Sequence, residues 1–276
     1  MFREQVVRQQ TSFLKFLYSS LILQEAPEVR RILESIADFK YRHTAWAMED
    51  GKRKGEEFDA SFNYRELEKL KELKTYNQVL EYLREDLEQN LKSYESEEPT
   101  ILRFKNDDTY FLSQLKGLEA EGVVTAFNDH QTLPGVELSE ENRKALVFFL
   151  LEETFKEYEL ITIYTFYKIY STNATANSAF TDLAYDSIYH LKRFGELAAQ
   201  MGILPLPRVV SVEKFRRENL LQFLKENIEE EKDAEKNCLI LAEKIGNPQL
   251  KEFLLFISRQ ELYHGELLQR ALESLQ

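Results

Sequence analysis

Apolar residues recur at steps of three and four along nearly the whole chain, which is the period of an α-helix rather than the alternation of a β-strand. Nine glycines and six prolines among 276 residues are too few for the many tight turns of an all-β fold. The pattern therefore predicts an all-α protein with eight principal helices. Their approximate ranges are 2–24, 27–49, 76–96, 100–121, 139–170, 178–201, 212–245 and 248–275.

The interval 122–138 breaks this helical period and contains two glycines and a proline. Such a stretch is typical of a connection between packed segments. It predicts a linker between a first domain, 1–121, and a second domain, 139–276, with four helices in each. Because the second and third helices of each half are joined by a longer stretch, we expect two tandem antiparallel four-helix bundles with one long crossover each.

The net charge of −12 argues against nucleic acid or an anionic membrane as the main partner. The single cysteine, Cys238, excludes an intramolecular disulfide and any metal site built from several cysteines. The first residues lack a hydrophobic signal region, and no apolar run is long enough to span a bilayer. We therefore expect a cytoplasmic protein.

The last helix carries two polar residues in the middle of an apolar stripe. Glu261 and His264 lie one turn apart on the face that the surrounding leucines assign to the core. A buried carboxylate and a buried imidazole are costly unless they are paired or bind a metal. The stripe consists of Leu250, Leu254, Ile257, Glu261, His264, Leu268, Ala271 and Leu275.

The same pairing of a glutamate with a histidine occurs twice in the second half. Glu231 precedes His264 by 33 residues, and Glu157 precedes His190 by the same number. Each of these four residues lies on an apolar helical stripe. A metal site is one interpretation of this repeat, and a metal-free network of buried polar side chains is the other.

This pattern of residues resembles that of the ferritin-like superfamily and, within it, the rubrerythrin-like branch. Bundles of this branch bind two iron ions through one Glu on each of two helices and a Glu-x-x-His motif on each of the other two. The segment 228–269 is similar to the second helix pair of that family over its whole length. The resemblance implies two iron ions per chain, with manganese as an alternative. It also implies the metal ligands, which are Glu157, His190, Glu231, Glu261 and His264.

One position departs from the family pattern. Ser187 stands three residues before His190, where the family has a glutamate. Asp186 and Glu153 are the two nearby carboxylates that could replace it. The sequence leaves open whether two metals are held equally.

The first half resembles a degraded copy of the second. Residues 37–43 parallel residues 184–190, and 108–111 parallel 261–264. Because a protonated lysine cannot coordinate a metal, we expect this half to bind none and to serve as a packing partner. The family's ligand positions are occupied here by Gln10, Lys40 and Phe111.

The resemblance implies a redox protein whose non-haem di-iron centre acts on dioxygen or peroxide. Rubrerythrins that carry a rubredoxin module use four cysteines for it, so a chain with one cysteine is expected to need an external electron donor. The alternative from another class is a metal-free scaffold or interaction protein, and iron storage is a third reading. The sequence does not decide whether the protein forms a homodimer.

Overall fold

The computed structural model describes residues 2–58 and 61–276, and it confirms the all-α fold. Over these residues the chain forms helices joined by turns, and its only β-type pairing is two isolated bridges. It divides into two compact units, Met1–Asn128 and Asp129–Gln276. Each unit is described separately below.

The first unit is a bundle of four long helices. Helix α1 packs against α2, α4 against α5, α1 against α4, and α2 against α5. The short α3 and a 3₁₀ turn lie in the long crossover between α2 and α4. The helices are α1 (Phe2–Ile22), α2 (Pro27–Arg53), α3 (Tyr64–Glu68), α4 (Tyr76–Ser93) and α5 (Pro99–Lys116).

The second unit has the same order of pairings. Helix α6 packs against α7, α8 against α9, α6 against α8, and α7 against α9. Four-helix bundles of this kind place side chains from all four helices in one core, where cofactor sites are built. The helices are α6 (Glu140–Tyr170), α7 (Ala174–Gln200), α8 (Leu220–Lys244) and α9 (Pro248–Leu275).

Local capping sets the helix ends of the second unit. The side chains of Ser139, Asn173 and Asn247 each accept a hydrogen bond from the backbone N–H three residues further on, which satisfies a donor that the first turn leaves free. Helix α7 therefore begins four residues before the start that its apolar period predicts. It ends at Gln200, two residues before Gly202, whose φ of 71° is readily adopted only by glycine.

Helix α8 begins later than the sequence predicts. Residues 212–215 and 217–219 form two 3₁₀ turns, and the α-helix starts only at Leu220. Because 3₁₀ geometry has poor hydrogen bonds, it occurs in short pieces beside α-helices. The apolar period alone does not distinguish these turns from the helix that follows.

The interval 122–138, predicted as a linker, is divided between the two units. The Val124 N–H donates to the Lys74 carbonyl in the first unit. The Asp129 N–H donates to the Gly202 carbonyl in the second unit. Each part of the interval is therefore hydrogen-bonded to the bundle that it adjoins.

The longest helix, α6, has 31 residues but carries charged residues within its apolar stretches, such as Glu153 and Lys156. Because charged groups are expensive in hydrocarbon, such a helix does not fit a bilayer. Among the residues that the structure describes, no helix is both long and apolar enough to cross a membrane.

Candidate metal centre

The four helices of the second unit bring all five predicted ligands into one core. Helix α6 supplies the first residue, α7 the second and α8 the third, while α9 supplies two residues one turn apart. Each of the five is at most 4% exposed. They are Glu157, His190, Glu231, Glu261 and His264.

Glu261 lies between the two histidines. Its Oε1 is 3.3 Å from Nδ1 of His190, and its Oε2 is 3.1 Å from Nδ1 of His264. The two rings are 5.5 Å apart between centroids. One carboxylate thus has one oxygen facing each imidazole, and the ligand atoms of these three residues lie within 4.8 Å of one another.

The remaining two carboxylates each face a different imidazole. Oε1 of Glu157 is 2.9 Å from Nδ1 of His190, and Oε2 of Glu231 is 3.8 Å from Nδ1 of His264. The centre therefore consists of two similar halves, each with one imidazole and one glutamate, and Glu261 is shared between them.

Outer hydrogen bonds fix the orientation of both rings. Nε2 of His190 is 3.1 Å from Oε1 of Gln260, and Nε2 of His264 is 3.1 Å from Oδ2 of Asp186. Because both partners present an oxygen acceptor, each Nε2 carries the proton and donates. Both Nδ1 atoms consequently face the carboxylates, which is the tautomer and orientation that a metal ligand needs.

Without a metal, these groups hold protons. Burial opposes a charge on His190, but the charge and hydrogen bond of Glu157 and the charge of Glu261 outweigh it and raise the pKa of His190 to about 9. Burial also opposes a charge on His264. Its hydrogen bonds with Asp186 and Glu261, together with the nearby carboxylate of Glu231, nevertheless raise the pKa of His264 well above its usual value. Both imidazoles therefore carry a positive charge at neutral pH in the metal-free centre.

The carboxylates compete with one another for negative charge. Burial raises the pKa of Glu261, and the charge of Glu231 raises it further, against the effect of His264. Burial also raises the pKa of Glu153, one turn before Glu157 on α6, to about 7, although Lys156 opposes the shift. This concentration of acids is typical of a site that receives a cation.

The residues fit a hard metal ion. Oε2 of Glu157 is buried and has no hydrogen-bond partner, although burying an unpaired carboxylate oxygen is costly. Carboxylate oxygens and imidazole nitrogens without a thiolate suit iron or manganese. A cation bound next to Glu157 would pair with this oxygen. The protons on the two histidines do not, because neither donates a hydrogen bond to it.

Residues 149–272 match the family model described as Rubrerythrin. This segment is a rubrerythrin domain of the ferritin-like superfamily. It contains all five residues of the centre, and domains of this family usually bind two iron ions. No curated protein and no solved structure gives a significant match.

The rubrerythrin domain has no acidic side chain at Ser187, which is 2% exposed. Asp186, one of the two candidate replacements, binds the outer nitrogen of His264 rather than facing its Nδ1. Asp186 therefore orients the His264 ring and is not itself in a ligand position. The pKa of Asp186 is lowered chiefly by this hydrogen bond, so the carboxylate stays ionised.

Two polar partners in the rubrerythrin domain, Gln260 and Asn227, were not among the sequence-predicted residues. Gln260 orients His190, and the hydroxyl of Tyr164 donates to Oδ1 of Asn227 at 2.6 Å. The same hydroxyl lies 3.5 Å from Oε1 of Glu231. Asn227 is one turn before Glu231 on α8, so its helical spacing could have indicated it. Gln260 has no such signal.

In the first unit, a buried ion pair takes up the polar core positions. Nζ of Lys40 lies 2.6 Å and 2.7 Å from the two carboxylate oxygens of Asp108, and 3.2 Å from Oε1 of Gln9. The Tyr94 hydroxyl donates to Asp108 at 2.7 Å. Within residues 2–58 and 61–128, no three histidine, cysteine or acidic side chains converge closely enough to hold an ion.

Proposed function

We propose that the rubrerythrin domain binds two iron ions, with manganese as the alternative metal. Glu157 and His190 would hold one ion, Glu231 and His264 the other, and Glu261 would bind both. The observation that carries this proposal is the position of Glu261, with one oxygen toward each Nδ1. Two protonated histidines could neutralise the site, but they would leave Oε2 of Glu157 unpaired.

The proposed activity is reduction of dioxygen or peroxide, for which bound iron would supply the electrons. The chain's own residues provide the conditions for this chemistry. The packed bundle keeps all five ligands at most 4% exposed, which limits the access of bulk water. Asp186 and Gln260 hold both imidazole rings in one orientation, so the rings do not have to turn when a metal binds.

We further propose that the electrons come from a separate protein. Thiolates hold the iron of rubredoxin-type modules, and the sequence has only Cys238, which is buried in α8. Tyr164, hydrogen-bonded beside Glu231, is positioned to keep that carboxylate in place rather than to replace such a donor.

A metal-free scaffold is the second candidate, and one observation favours it. The first unit satisfies its buried carboxylate with Lys40, which shows that a bundle of this design can bury acidic groups beside a built-in cation. In the second unit the protons of His190 and His264 could serve the same purpose. Metal analysis separates the two candidates.

The deciding experiment is the metal content of the full chain, purified without chelator or affinity metal and measured by mass spectrometry. We expect about two iron or manganese ions per chain, because the two-iron bundle supplies one Glu or Glu-x-x-His from each helix. Glu231→Ala and His264→Ala should lose them while keeping their helix content. The exposed residues Glu229 and His130 provide matched controls, and Glu229→Ala and His130→Ala should retain full metal content.

Three other results have a definite meaning. Unchanged metal content in Glu231→Ala and His264→Ala would show that the metal lies elsewhere. One ion per chain would mean that Ser187 costs one of the two sites. No metal after anaerobic loading with ferrous iron would leave the scaffold as the better account.

A further inference from the structure

A cleft runs along the surface of the rubrerythrin domain between α8 and α9 and reaches the centre. Its volume is about 470 Å³. Glu231 and Glu261, which are two of the proposed ligands, are among its lining residues. Because these two are only 2% and 4% exposed, they define the inner end of the cleft. Because all its lining residues belong to these two helices, the cleft is contained within the second unit.

Gly265 lines the cleft immediately after His264. A Cβ atom placed at this glycine would meet no heavy atom within 4 Å, so close packing does not require glycine here. In a helix interior glycine costs about 1 kcal/mol relative to alanine. The structural effect of Gly265 is therefore to leave space beside the centre.

The cleft is larger than dioxygen or hydrogen peroxide needs. A water molecule takes up about 30 Å³ in the liquid, and pockets for organic ligands have volumes of about 300–1,000 Å³. The volume of this cleft lies within that range. An organic molecule of moderate size fits better than a two-atom substrate.

The lining changes character from the inner end outward. The carboxylates of Glu231 and Glu261 form the polar inner end, and the side chains of Ile228 and Leu262 form apolar walls. Leu262 is 55% exposed, which leaves a leucine surface available to a ligand. Such a lining favours a molecule with a polar group at one end and an apolar body.

The basic residues at the outer rim are already paired. Lys232 forms an ion pair with Glu229 at 2.6 Å, and Arg270 with Glu266 at 3.4 Å. The rim therefore presents no unpaired cation for an anionic ligand. This favours an uncharged substrate body over a fatty-acid carboxylate.

We propose that this cleft binds an uncharged organic hydroperoxide, with its O–O group at the inner end and its apolar body between Ile228 and Leu262. The inference rests on the proposed function. In the reaction the O–O bond breaks, and ROOH with two electrons and two protons gives ROH and H₂O. The separate redox protein would supply the electrons, bound iron would pass them to the O–O group, and solvent would supply the protons.

The first test is the ratio of kcat/KM for cumene hydroperoxide to kcat/KM for hydrogen peroxide in the iron-loaded full chain. Gly265→Leu fills the cleft, and we expect this ratio to fall by about tenfold or more, since a single methylene changes discrimination by about 10–200-fold. Leu262→Glu places a charge on the wall and should lower the ratio in the same direction. Gln249→Leu, at an exposed site on α9 outside the cleft, should leave it unchanged.

The second test does not depend on turnover. Cumyl alcohol, the reduction product, should bind the full wild-type chain in isothermal titration calorimetry, and Gly265→Leu should abolish its binding. Gly265→Ala, which adds only a methyl group, checks stability and should raise the melting temperature. This variant separates a filled cleft from a damaged helix.

The outcomes distinguish this inference from the proposed function. If hydrogen peroxide is reduced but the ratio is the same in Gly265→Leu, Leu262→Glu and wild type, the hydroperoxide assignment is wrong and the proposed function stands. Cumyl alcohol binding that persists in Gly265→Leu would also overturn the assignment. If the iron-loaded protein reduces neither peroxide, both the proposed function and the substrate assignment fail.

Discussion

The Lys40 ammonium contacts both carboxylate oxygens of Asp108, at 2.6 Å and 2.7 Å, and both side chains have no solvent exposure. A charge pair so deeply buried is stable only because each charge compensates the other. The polar core of the first unit therefore contains its own cation, whereas the second unit concentrates acids and histidines that await protons or metal.

Removing Lys40 should destabilise the first unit strongly. In Lys40→Met the buried carboxylate of Asp108 loses its counter-charge and keeps the hydrogen bond of Tyr94. Breaking such a pair costs about 3–5 kcal/mol. Because Trp46 on α2 is the only tryptophan, its fluorescence during urea unfolding reports on this unit alone.

Two further variants control this measurement. Lys40→Met combined with Asp108→Leu removes both charges and should recover most of the lost stability. Lys105→Met, at an exposed position on α5, should change the free energy of unfolding by less than about 0.5 kcal/mol. A loss in Lys40→Met no larger than that of Lys105→Met would contradict the predicted role of the ion pair.

The first unit should become less stable as the pH falls below 6.5. Burial and the neighbouring Lys40 lower the pKa of His43 to about 3, although Asp107 opposes the shift. Between these two pKa values the unfolded chain binds a proton that the folded unit does not, so stability is lost as pH falls. The contribution of His43 should have a slope of about 1.4 kcal/mol per pH unit.

Unfolding followed by Trp46 fluorescence between pH 4 and 7 measures this slope. The comparison is with His43→Gln, which keeps a polar side chain but does not titrate. The difference between the two slopes isolates His43 from the acidic groups that also protonate in this range. Parallel slopes would mean that His43 is charged in the folded unit.

Metal uptake by the rubrerythrin domain should release protons. At pH 7 His190 and His264 are both protonated in the metal-free protein, and ligation requires neutral imidazole. Burial and the charge of Glu231 raise the pKa of Glu261 to about 8, so this carboxyl also loses a proton when it becomes a ligand. We expect two to three protons per chain to be released, with affinity rising as the pH approaches 9. Calorimetry in buffers of different ionisation enthalpy counts the protons, and a count near zero would show that the histidines are not ligands.

Asp186→Asn should weaken metal binding without removing a ligand. The substitution replaces the carboxylate that accepts from Nε2 of His264 and can turn an amide donor toward it, so the inner nitrogen is held less firmly. Changes of this kind cost about 10–100-fold in affinity. Competition with a chromophoric chelator measures the loss, and Asp182→Asn, at an exposed site one turn earlier, is the matched control.

The apolar period located most of the architecture and the polar residues of the second core, because helical spacing fixes which side chains share a face. It placed Glu261 and His264 on one stripe, and the structure brings both to the same centre. The direction in which a side chain points could not be predicted from the spacing. Asp186 faces the outer nitrogen of His264, and spacing alone cannot distinguish that position from the inner one.

In the first half, the repeat identified Lys40 as a residue at a ligand position but did not predict its partner. The pairing with Asp108 depends on how α2 packs against α5, which the sequence pattern does not specify. The 33-residue spacing between Glu and His in the second half also predicted that Gln10 would be the partner of His43. The neighbouring Gln9 has its Oε1 3.4 Å from Nδ1 of His43. Such one-residue shifts between copies follow from small helix rotations.

The Lys40–Asp108 pair also means that the two units differ in what they need once the chain has been synthesised. A lysine is present as soon as the polypeptide is made, whereas a metal ion must be acquired from the surroundings. In the first unit the Lys40 charge therefore compensates Asp108 without any bound metal. If the second unit holds iron as proposed above, iron starvation would leave that bundle without its metal, while the core charges of the first bundle stay compensated.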